Sequence, residues 1–70
     1  NKITIVSRDI NGKRATVEFV TEYDVLDWIN KGFLDEDDEI LLVVQCGVCI
    51  YSALGTDRSL NIDELTGFFA

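Results

Sequence analysis

Histidine, methionine and proline are absent from these 70 residues, and cysteine occurs only twice. Each absence closes a class of chemistry. Without histidine, Ser7, Ser52 and Ser59 have no partner for a hydrolytic triad. The five glycines are scattered singletons, each explained as a turn or cap, and none belongs to a loop that could cradle a phosphate. The longest apolar run, Ile40 to Val44, is far too short to span a bilayer. The opening stretch NKITIVSRD has neither an apolar h-region nor a small-residue cleavage site. Together these features lead to the expectation of a cytoplasmic protein with no membrane contact.

Basic residues are also scarce, at 6 against 13 acids, for a formal charge of −7. The imbalance is confined to one half. Up to Leu34 five bases meet five acids, whereas from Asp35 onward eight acids face only Arg58. Five of those acids are consecutive: Asp35, Glu36, Asp37, Asp38 and Glu39. Phosphate recognition rests on clustered Lys and Arg, so direct nucleic-acid binding is not expected. A macromolecular partner should instead be a protein with a basic surface. The run has no calcium-loop spacing, because neither a central glycine nor a later bidentate glutamate follows Asp35. It reads either as a mimic of spaced phosphates or as a solvated connection that keeps an apolar chain in solution.

What is present is apolar: 47% of the residues are hydrophobic, well above what leaves a chain disordered. A single domain spanning residues 1–70 follows, but a chain this short buries only about 60% of its unfolded surface. Its core needs a supplement, and association into a homodimer is the favoured one, through an exposed hairpin edge or the Phe68-Phe69 tail.

Along the chain, ITIVSRDINGKRATVEFV reads as a β-hairpin about Asn11-Gly12. A two-residue turn would scatter the apolar side chains over both faces. A three-residue loop, Ile10 to Gly12, pairs Ile5 with Val17 and Ile3 with Phe19 and builds one apolar face, so it is preferred. Thr21 with Asp24 opens a helix that Gly32 closes, and Val25, Leu26, Ile29 and Phe33 form its sheet-facing stripe, flanked by Tyr23 and Trp28. ILLVVQCGVCIYSAL reads as a second hairpin turning at Cys46-Gly47, with Val44 opposite Cys49, Val43 opposite Ile50 and Leu42 opposite Tyr51, its two strands covered on both faces. Gly55 closes that unit. Asn61 and Glu64 open a last short helix that ends near Gly67 and leaves Phe68 and Phe69 free to dock. The fold class is α+β in the order β-β-α-β-β-α, with an antiparallel or mixed sheet and one helix packed on a face.

Cys46 and Cys49 form a C-x-x-C pair. A redox dithiol of the thioredoxin kind needs its first thiol at a helix N-terminus, and VCIYSAL is a poor helix start, with no Lys or His beside the thiols. Structural zinc wants four ligands, so only a dimer pooling both pairs would complete a site. The two thiols otherwise serve as small fillers at a strand end. No cofactor is expected.

The leading functional expectation is a small, non-enzymatic interaction module. Its contact residues would be the 35–39 carboxylates with Trp28, Phe68 and Phe69 as apolar anchors. One form of such a module is an inhibitor that fills a basic, nucleic-acid-binding groove. A self-associating structural module and a dithiol protein built on Cys46 and Cys49 are the alternatives.

Overall fold

A computed structural model of the chain describes residues 2–54 and 58–70, so Gly55, the expected end of the second hairpin, lies outside the described residues. The elements follow the expected order: β1 (Ile3–Arg8), β2 (Arg14–Phe19), α1 (Glu22–Asn30), β3 (Glu39–Gln45), β4 (Val48–Ser52) and α2 (Ile62–Phe69). The four strands make one sheet in the order β2-β1-β3-β4, with every neighbouring pair antiparallel. No helix among the described residues is long and apolar enough to cross a membrane.

Strict alternation sets β1. Ile3, Ile5 and Ser7 are buried, while Thr4, Val6 and Arg8 between them are half-buried. β2 takes the register that gives one apolar face, Ile3 opposite Phe19 and Ile5 opposite Val17. The three-residue loop explains it. Asp9 N donates to Lys13 O at 2.9 Å and Gly12 N to Asp9 O at 2.9 Å, and Gly12 sits at φ +84°, a conformation that side chains with a Cβ rarely adopt. The Asp9 carboxylate accepts from the backbone N–H groups of Asn11 and Lys13, both at 2.9 Å, which locks the loop.

A full capping box starts α1. Thr21 Oγ1 accepts from Asp24 N, and Asp24 Oδ2 accepts from Thr21 N. Val25 is fully buried, and Trp28 leans on Phe19 with ring centroids 5.0 Å apart. The apolar stripe does not extend to Phe33, which is 68% exposed; Leu34, at 6%, is the buried residue. The helix has ended by then and Gly32 is left-handed, so helical spacing no longer decides which side chain faces the sheet.

Two bulges resolve the apolar run of β3. Val6 pairs with Leu42 but Ser7 pairs with Ile40, leaving Leu41 as the extra residue. Ile40 and Val43, an odd number of positions apart, thereby share the core face at 0% exposure. The freed edge is used elsewhere: Leu41 O accepts Ala53 N at 2.7 Å, and Ile40 and Leu60 exchange backbone bonds of 2.8 and 3.0 Å. The second bulge corrects the expected register of β4. Val44 does face Cys49, but Val43 faces Tyr51 rather than Ile50, and Leu42 faces Ser52 rather than Tyr51. The extra residue is Ile50. By rotating Tyr51 onto the side of Val43, the bulge lets its ring meet Phe68 edge-on at 6.0 Å. Nor is β4 covered on both faces, with Val48 61% and Ile50 37% exposed.

α2 runs through Gly67 to Phe69, correcting the expected stop, and Phe69 is buried at 7% beside Leu65 at 0%. Phe68 alone of the pair is exposed, at 42%. Both helices pack on one side of the sheet and on each other, around a core of Ile3, Ile5, Val25, Ile40, Val43 and Leu65.

Glu64 belongs to two local systems. It closes the α2 capping box on Asn61 N, and it accepts the Arg58 guanidinium. The guanidinium first, and the backbone N–H second, hold its carboxyl down at about 2. A folded value below the unfolded one gives stability that is fully present above the unfolded value, about 4.3, and is lost as pH falls towards the folded one. Urea unfolding of the wild type should therefore weaken across that window more steeply than that of Glu64→Gln. Parallel pH dependences would show that the Glu64 contacts are not linked to folding.

Candidate functional site

The acidic run does not form one continuous surface. Asp35 to Asp38 make a tight turn: Asp38 N donates to Asp35 O at 3.0 Å, and Asp38 Oδ2 accepts from Asp35 N at 3.2 Å. Glu36 and Asp37 are exposed at its tip. Glu39 already belongs to β3 and serves a different purpose. It accepts from Ser59 Oγ at 2.8 Å and from Arg8 Nε and Nη2 at 3.2 and 3.1 Å, and these partners, Ser59 foremost, lower its pKa. This carboxylate ties the β1 and β3 ends to the segment before α2.

Beside the turn, on the helical side of the sheet, lies a cleft of about 300 Å³. Trp28, Phe33, Leu34 and Val17 supply its apolar lining, while Asp9, Asp35 and Asp38 bring three carboxylates to it and Lys13 one base. The hairpin loop places Asp9, the left-handed Gly32 turn swings Phe33 outward, and the capped 35–38 turn presents the other two acids. Such a site suits a long cationic side chain, its stem against the aromatics and its head among the carboxylates.

Of the residues singled out in the sequence, Trp28, Asp35 and Asp38 meet in this cleft, with Glu36 and Asp37 adjoining. Glu39 is drawn away by Arg8 and Ser59. Phe68 lies against Tyr51 on β4, the opposite edge strand from β2, and Phe69 is a core residue rather than a surface anchor. Asp9 carries no site expectation in the sequence, and Phe33, expected in the sheet-facing stripe of α1, is instead exposed at the cleft. The available signal for Asp9 was its position at the mouth of the Asn-Gly loop, where it also reads as a turn residue.

The other face of the sheet carries a larger concavity, about 530 Å³, floored by Val6, Leu41, Leu42 and Leu54. All three arginines of the chain, Arg8, Arg14 and Arg58, line it. Arg8 is paired with Glu39 and Arg58 with Glu64, so most of its positive charge is neutralised within the chain.

Cys46 and Cys49 sit at the tip of the second hairpin, exposed and not joined in a disulfide. Cys46, at φ 54°, and Gly47, at φ 77°, form the two-residue turn between Gln45 and Val48. Cys49 Sγ donates to Tyr51 O at 3.4 Å. The thiols lie between two strands, with no helix start beside them. Among the described residues, no three or more Cys, Asp or Glu side chains are grouped to hold a metal ion. Comparison with protein families, curated proteins and solved structures finds no match to this chain.

A left-handed cysteine is strained where asparagine is not. Cys46→Asn should therefore raise stability by about 0.5 kcal/mol or more, read from denaturant unfolding. A loss of stability would mean that the thiol contributes something beyond the turn.

Proposed function

We propose that this chain is a non-enzymatic protein-interaction module that captures a basic segment of another protein in the cleft between the 35–38 turn and the first hairpin. The observation that carries the reading is the meeting of Trp28 and Phe33 with Asp9, Asp35 and Asp38 in one concavity. Apolar area supplies affinity there, and the surrounding charge supplies steering and sign selectivity. Phe33, 68% exposed, provides aromatic area there at low entropic cost. A partner whose basic groove normally holds nucleic acid fits this chemistry, and occupation of that groove would inhibit it. The setting in this reading is cytoplasmic. Most of the excess negative charge lies in the 35–39 run, which repels phosphates while attracting such a groove.

An oligoarginine peptide serves as the probe. Its association should slow by about tenfold between roughly 50 and 500 mM salt, because exposed charges are screened beyond a Debye length. Glu36→Gln with Asp37→Asn should slow association further without loss of fold, since neither side chain is engaged in the turn. Phe33→Ala should speed dissociation instead. Binding that ignores both salt and these substitutions would sink the proposal.

A further inference from the structure

β2 is an edge strand of six residues paired to β1 without a bulge, and Arg14 to Thr16 and Glu18 are exposed along it. Its outer hydrogen-bonding groups can be assigned. The bond from Asp9 N to Lys13 O makes that pair the closing one of the hairpin. Hydrogen-bonded and non-bonded pairs then alternate, so Ala15, Val17 and Phe19 bond to β1, while Arg14, Thr16 and Glu18 direct their N–H and C=O groups away from the sheet. Nothing among the described elements covers them, and neither a proline nor a bulge blunts this edge; the devices it carries are charges, Arg14 and Glu18, of opposite sign. β4, the opposite edge, is shorter and kinked at Ile50.

We infer that two copies of this chain join through β2, antiparallel about a two-fold axis at Thr16, to make a continuous eight-stranded sheet. The sequence of the strand is self-complementary in that register. Thr16 faces Thr16 of the second copy, Arg14 faces its Glu18 and Glu18 its Arg14, and all three are the outward-bonding positions, so every pair exchanges two backbone bonds. Opposite charges therefore meet at both ends of the ladder, at a cross-strand distance that allows ion pairing. Arg14 has no ion pair within its own chain among the described residues, and Glu18 has only an exposed contact with Lys2 at 3.6 Å, so both are available. On the helical face Ala15, exposed, meets Val17 of the second copy, half-buried at the rim of the cleft. The seam also lies in the half of the sequence without net charge, where two chains of −7 repel least. A basic peptide is a poorer occupant of this edge, because Lys2, Lys13 and Arg14 lie along it.

Sedimentation equilibrium tests the inference without reference to the cleft. Over about 1 µM to 1 mM the wild type should pass from the 7.9 kDa chain mass to twice that mass. Arg14→Glu and Glu18→Arg should each remain at the single-chain mass, because each places like charges opposite one another. Mixed in equal amounts, those two variants should recover the doubled mass, since both cross-strand pairs become opposite in charge. Thr16→Pro removes an outward N–H but no bond to β1, so it should keep the wild-type circular dichroism and lose association. A wild type that stays at 7.9 kDa throughout, or a dimer indifferent to the charge swaps and to Thr16→Pro, would overturn the inference. So would variants that fail to associate on mixing although their dichroism is native.

Discussion

Two helices of nine and eight residues cannot cover both faces of a four-stranded sheet, and the rest of the structure follows from that constraint. The apolar side chains must be gathered on one face, around Ile3, Ile5, Val43 and Ile40, all at 1% exposure or less. β1 achieves this by plain alternation. β3, with Ile40 to Val44 all apolar, cannot, because a straight strand would send half of its large side chains to the uncovered face. The bulge at Leu41 brings Ile40 and Val43 to the same side. The bulge at Ile50 does the same for Tyr51, which then serves as a platform for Phe68. Both irregularities are consequences of covering a single face with little chain.

The limits of reading this fold from sequence follow the same line. The first hairpin was legible to its register because alternation and loop length had one joint solution, with Gly12 able to take the left-handed loop position. Both capping boxes were legible because their spacing is local. The run ILLVVQCGVCIYS gave away its turn but not its pairing. A continuous apolar stretch has no period from which an inserted residue can be read. Phe33 and Phe69 differ from expectation for a related reason: each lies just beyond a glycine, and a glycine's effect on the helix decides which way the next side chains face. Gly32 did stop α1 and removed Phe33 from the stripe, whereas Gly67 did not stop α2 and Phe69 entered the core.

The cleft was only half legible. The acidic run stood out as charge, and Trp28 as an aromatic beside a helical stripe, but their meeting with Asp9 and Phe33 depends on how the first hairpin and the α1–β3 connection come together. Glu39 could not be separated from its four acidic neighbours in sequence. In the structure the start of β3 separates it, and Arg8 and Ser59 bind it across elements up to 31 positions away. The convergence of Arg8, Arg14 and Arg58 on the opposite face was hidden for the same reason, since residues 8 and 58 come together only through the β1–β3 pairing and the Leu60 bridge to Ile40.

This arrangement sorts charge by face and by edge. The carboxylates of the 35–38 turn border the helical side, the arginines lie on the bare side, and the open edge of β2 carries one charge of each sign flanking a threonine. An uncovered edge without proline or bulge ordinarily invites indiscriminate strand addition unless its charges discriminate. In a chain of −7, long-range repulsion opposes every encounter between copies, and only a register that sets opposite charges together in pairs recovers that cost at short range. Net charge and edge complementarity then act in sequence, the first rejecting most orientations and the second selecting one. In the inferred assembly, the acidic surface that would attract a basic partner thus also disfavours every seam but this one.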